Sequence, residues 1–151
     1  MDDFEFNLNK VLVETFNCVL KYEETALKKI LGARVTIAEA HMIEAIGKQE
    51  SSGEATVSNI AAILNIALPT ATVAVRKLER KGFLKKVSCA KDGRRTIISL
   101  TDMGKKIEKA HQIFHARMVR NISAQFVDDE RQVLMQTIKT LNEFFRAKVE
   151  A

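Results

Sequence analysis

Between Phe4 and Leu31, apolar residues recur at positions 4, 8, 11, 12, 16, 19, 20, 27, 30 and 31, the spacing of one helical stripe, and Gly32 ends the run. Thr36, with Glu39 three positions on, predicts a capping-box start for a second helix over IAEAHMIEAIG. That helix is expected to stop at Gly47, leaving KQESSGE as a polar loop. Thr56 predicts the cap of a short third helix in which Val57, Ile60, Ala61 and Leu64 share a face. After a brief connection, Pro69 fits the first turn of a fourth helix, where its missing N–H costs nothing, and that helix runs to Gly82. A short helix, a tight turn and a second helix make the helix-turn-helix pattern.

Two strand-length apolar runs follow, FLKKV and TIISL, with an Asp-Gly turn between them that supplies the backbone for a hairpin. Thr101 then opens a long fifth helix with Ile107, Ala110, His111, Phe114, Met118 and Ile122 on one stripe. A sixth, from Asp128 to about Val149, is expected to turn Val133, Leu134, Ile138, Leu141, Phe144 and Phe145 inward. The chain therefore reads as mostly α: six helices and a small β-hairpin wing, a winged helix-turn-helix.

The totals narrow the class. At 151 residues, 46% of them hydrophobic and 28% charged, the chain can bury one domain's core and is not disordered. No run of about 18 apolar residues occurs, and Asp2, Asp3 and Glu5 replace the basic lead of a signal peptide, so a cytoplasmic protein with no membrane partner is expected. Cys18 and Cys89 are too far apart in sequence to suggest a CxxC metal knuckle or a disulfide framework. Cys18, among Phe16, Val19 and Leu20, reads as a small buried hydrophobe.

Charge is unevenly spread. Residues 56–106 hold eleven Lys or Arg against three acids, a local +8, while the whole chain carries +5, so the remainder is −3. Such a footprint suits a polyanion, here double-stranded DNA. On the fourth helix Ala71, Ala74 or Val75, and Leu78 fall inward, leaving Thr70, Thr72, Val73, Arg76, Lys77 and Arg80 to meet base edges and phosphates. On the hairpin tip Arg94 is placed to probe the minor groove, Asp92 to orient it, and Arg95 to contact phosphate.

TVSNIAAILNI, TVAVRKLERKGFLKKV and DGRRTIISLTDMGKK together resemble the MarR family of winged-helix transcription regulators, through the LERKG helix end, the D-x-R wing tip and the LT-x-x-G entry into the fifth helix. The resemblance spans nearly the whole chain. It implies a homodimer joined through the first, fifth and sixth helices, so residues 1–35 and 101–151 are assigned to dimerisation and 36–100 to the DNA-binding lobe. It also implies a palindromic operator with one recognition helix per half-site. Within the family, YEETAL, TIAEAHMIEAIGK and HQIFHARMV are most similar to the fatty-acid synthesis repressors of low-GC Gram-positive bacteria. That similarity implies control of fatty-acid biosynthesis genes with acyl carrier protein as co-repressor.

The same resemblance aligns Glu24, His41, His111 and His115 with the ligands of the family's zinc sensors, which makes zinc the one candidate cofactor and an effector pocket the alternative use of those residues. His111 and His115, four apart on one helix, have the spacing for a shared metal, and equally the spacing for a buried network hydrogen-bonded to a carboxylate. No GxSxG, HExxH or phosphate-cradling glycine loop is present, so an enzyme is not expected.

Overall fold

The computed structural model describes residues 2–88 and 96–149, and its elements follow in the order α1 (Asp3–Leu31), a 3-10 turn (Gly32–Arg34), α2 (Ile37–Ser52), α3 (Val57–Ile63), α4 (Leu68–Arg80), β1 (Leu84–Ser88), β2 (Thr96–Leu100), α5 (Asp102–Ser123) and α6 (Asp128–Val149). The chain divides into two compact units, Met1–Phe114 and His115–Ala151.

Local chemistry sets the helix starts. Asp2 accepts the Glu5 N–H at 2.7 Å while Glu5 takes the Asp2 N–H, and Thr36 and Glu39 do the same for α2. Thr56 caps α3 by accepting from the Asn59 N–H. Each such cap contributes about 0.5–2 kcal/mol. Pro69 stands second in α4, because Leu68 is already helical.

Two helix ends aim the elements that follow. Asn65 adopts φ 51 and Ile66 N–H donates back to the Ala61 carbonyl, a left-handed cap that turns the chain from α3 into α4. At the far end of α4, Gly82 at φ 77 lets Phe83 N–H reach the Leu78 carbonyl and sends the chain into β1.

In the first unit β1 and β2 pair antiparallel, Leu84 opposite Leu100 and Lys86 opposite Ile98. A feature the sequence reading missed joins them: Thr56 bridges to Ile97, and Ile98 N–H donates to the Ala55 carbonyl at 2.9 Å, so the start of α3 is stitched to the wing root. The core gathers Ile43, Ile46, Ile60, Val75, Leu78, Leu84 and Ile98, all fully buried, with each large side chain contributing about 1.5–3 kcal/mol. Thr101 fastens α5 to this root: its hydroxyl donates to the Gly82 carbonyl at 2.6 Å and accepts from Gly104 N–H. Gly104 admits no side chain, since a Cβ would overlap the Phe83 carbonyl.

α2 does not stop at Gly47; it runs to Ser52, so most of KQESSGE is helix. Gly47 is a place of close approach, where the carboxylate end of the Glu108 side chain of α5 lies over the position a Cβ would take. The extra turn carries Glu50 to β2, where it accepts from the Ser99 hydroxyl and the Leu100 N–H. Sequence punctuation read that glycine as a stop when it marks a close approach.

In the second unit Val127 N–H donates to Glu130, and Arg131 holds both Asp128 and the Ser123 carbonyl, fixing the turn into α6. The expected inward row of α6 is not covered in the single chain: Val133, Ile138, Phe144 and Phe145 are exposed and the helix buries none of its residues. α1 likewise exposes Phe4, Phe6, Val11, Phe16 and Leu20. Cys18, expected to be buried, is exposed on that helix. No single helix among the described residues is long and apolar enough to cross a membrane.

Candidate DNA-binding and effector sites

α4 divides by helical period. Ala71, Val75 and Leu78 are fully buried, so the opposite side is presented outward by the same packing. Thr70, Val73, Arg76, Lys77 and Arg80 are exposed there. Val73, 65% exposed, offers a branched methyl surface of the kind that meets a thymine methyl. Thr72 departs from the expected outward face: it is half-buried and its hydroxyl donates to the Leu68 carbonyl at 2.9 Å, a bond within the helix. The Lys77 side chain is half exposed, and its Nζ lies 3.0 Å from Glu39 Oε1. The wing-tip residues Asp92, Arg94 and Arg95, and Cys89 beside them, lie outside the described residues.

The histidine site is built on three helices of the first unit. Glu23 of α1 is 4% exposed and turns its Oε1 to His111 Nε2 of α5 at 2.6 Å and to His41 Nε2 of α2 at 3.0 Å. His111 is fully buried, and its Nδ1 stands 2.8 Å from Glu44 Oε2, close enough for a Coulombic pair though not aligned as a hydrogen bond. The ligating atoms of Glu23, His41 and His111 lie within 4.8 Å of one another. Burial raises the Glu23 carboxyl, but hydrogen bonds and charge from His111 and His41 outweigh it and hold the group below its ordinary value.

Of the two uses expected of Glu24, effector pocket or metal ligand, the second falls instead to Glu23, which is the α1 carboxylate that meets the histidines. Glu24 is exposed; one residue is about 100° of helix, enough to move it off the buried face. It instead walls a groove of about 400 Å³ with Leu27, Lys28, Val35 and Ile37. His41 borders a second groove of about 380 Å³, between α2 and α4, and the two grooves share Thr36 and Ala38. His115 follows His111 by one turn of α5 and begins the second unit. Glu23 and Glu44 were the residues missed. The signal for Glu23 was its place one turn before Leu27, itself buried on α1.

A profile of the MarR family matches residues 36–96. The structure of Streptococcus pneumoniae FabT in complex with DNA is 31% identical and superposes with a TM-score of 0.88, covering 96% of this chain and 99% of that one. The chain belongs to the MarR family. The Staphylococcus aureus MepR–DNA complex shares the fold at 21% identity and a TM-score of 0.69, covering 96% of this chain and 99% of that one. A search of curated proteins found no match.

Membership places the chain among transcription regulators and not among enzymes. It also gives the family's short signatures a physical reading. LERKG is a helix end closed by Gly82, and LT-x-x-G is the Thr101 cap with the Gly104 close approach.

Proposed function

We propose that this chain is a homodimeric repressor that binds a palindromic DNA operator through α4 and the wing and controls fatty-acid biosynthesis genes, with acyl carrier protein as co-repressor. The full-length likeness to the DNA-bound FabT carries this reading. Two features of this chain support it. The exposed apolar rows of α1 and α6 have the character of an interface awaiting a second copy, and the two grooves beside α2 offer room for an effector next to the helix that packs on α4. An effector acts by preferring one spacing of the two recognition helices, with a coupling of about 1–3 kcal/mol.

A second reading has its own observation. One carboxylate and two imidazoles converge at Glu23, His41 and His111, a donor set that suits zinc. Both Nε2 atoms face Glu23 Oε1, so zinc would take the place of the hydrogen bonds that now join the three groups. The group supplies Lewis-acid cross-linking of α1, α2 and α5 when bound.

The test is fluorescence anisotropy on the gene's own upstream DNA with chelator, then zinc, then acyl-loaded carrier protein. Tighter binding with the acyl carrier alone supports the fatty-acid reading. A response to zinc alone replaces it with the metal reading, and no binding to any upstream fragment removes both.

A further inference from the structure

A second buried carboxylate stands at the base of the DNA-facing helix. Glu39, 7% exposed in the first turn of α2, accepts the Thr36 N–H through Oε2 at 3.0 Å. Lys81 Nζ lies 2.8 Å from each of its oxygens and donates also to the Arg34 carbonyl at 2.9 Å, so all three of that ammonium's hydrogens are used inside the protein. Lys77 Nζ sits 3.0 Å from Oε1. Its situation differs from that of Lys81: its side chain is half exposed, on the outward side of α4 with Thr70, Arg76 and Arg80. No ion pair holds Arg76 or Arg80 among the described residues, whereas Lys77 is already matched.

We infer that Glu39 is an intramolecular counter-ion that withholds Lys77 from DNA phosphates and thereby limits how strongly the recognition helix grips the backbone. The inference rests on the DNA-binding reading above. Its physics is counter-ion release: each lysine that replaces a condensed cation on DNA adds about 0.9 to the slope of log affinity against log salt. A lysine neutralised within the protein adds little, because meeting a phosphate means leaving a carboxylate. The other contacts of α4 are left in place, so the withheld lysine lowers affinity for operator and random duplex alike and leaves the ratio between them nearly constant. Burial raises the Glu39 carboxyl while bonds from Lys81, Thr36 N–H and Lys77 lower it further, so the counter-ion stays charged at neutral pH.

The test uses the full chain and Glu39→Gln, which keeps the capping box, since glutamine serves there as well as glutamate, and removes the charge. Affinity for operator and for a random duplex is read by anisotropy from about 50 to 200 mM salt. The expected result is a slope steeper by about one and low-salt affinity raised about 3- to 10-fold on both duplexes. Lys77→Ala should leave the slope of the parent protein nearly unchanged but abolish the gain in the Glu39→Gln background. An unchanged or shallower slope in a Glu39→Gln protein that melts normally would reduce Glu39 to a structural staple. Should that variant not fold, Lys77→Ala alone decides: a slope lowered by about one shows Lys77 already on phosphate and overturns the inference, an unchanged slope upholds it. If the parent protein binds neither duplex, the DNA-binding reading itself has failed.

Discussion

Glu23 and Glu39 are both buried glutamates, and both are held below the ordinary carboxylate value against the pull of burial. They differ in what holds them. Glu39 faces the ammonium groups of Lys77 on α4 and of Lys81 just past its end. Glu23 faces two imidazoles, which can meet a carboxylate either as neutral donors or as cations, and one of them is fully enclosed. A lysine partner makes a fixed clamp whose worth is read in charge. An imidazole partner makes a knot whose worth depends on which protons it carries.

The difference is broken most severely by Glu23→Ala. His111 cannot reach water to replace its acceptor, so the variant should lose about 3 kcal/mol in urea unfolding, the cost of stranding one member of a buried pair. A loss below about 1 kcal/mol would mean that the histidines are held by other groups and that Glu23 is incidental.

Acid is a milder probe of both carboxylates together. Each has a folded value depressed from an ordinary 4.5, so its stabilisation is present above about pH 4.5 and drains away as pH falls through the lower folded value. The urea midpoint should fall on that acid limb, and Glu39→Gln should flatten it by removing one of the two contributions. An unaltered limb in that variant would put the acid sensitivity elsewhere.

Glu108 sharpens the contrast with the smallest effect, because it is a part-buried carboxylate on which Glu50 and Glu44 act against Lys105 and Lys48. Burial, then Glu50 and Glu44, raise it above 4.5, so stability is full below that pH and is lost as pH rises through the folded value. Glu108→Gln should therefore stabilise the protein at neutral pH by up to about 1 kcal/mol, seen as a higher unfolding midpoint. A decrease would show that the bond from Gln112 or the packing over Gly47 outweighs the repulsion.

Helix order, the hairpin and the outward side of α4 were legible because they follow from local periods and caps: Thr36, Thr56 and Gly82 act on their own neighbours in sequence. Glu23 was not legible in the same way. Whether residue 23 or 24 points inward depends on the rotation of a long helix whose exposed apolar residues run around much of its surface, so its own pattern does not choose a buried side. Gly47 failed for a related reason, since a glycine that ends a helix and one that admits a neighbour's carboxylate look alike until the neighbour is placed. The bridge from Thr56 to Ile97 involves a segment already explained as a cap, and nothing local announces a second duty.

The fit of Gly104 against the Phe83 carbonyl has a consequence for genetics. Since Gly104 lies in the first turn of α5, even one added methyl must lever the helix away from the wing root without touching a charged group or the outward side of α4. Damage of that kind weakens the protein's architecture and leaves its vocabulary for DNA intact, which is the pattern of a temperature-sensitive allele: regulation kept in the cold and released by warming.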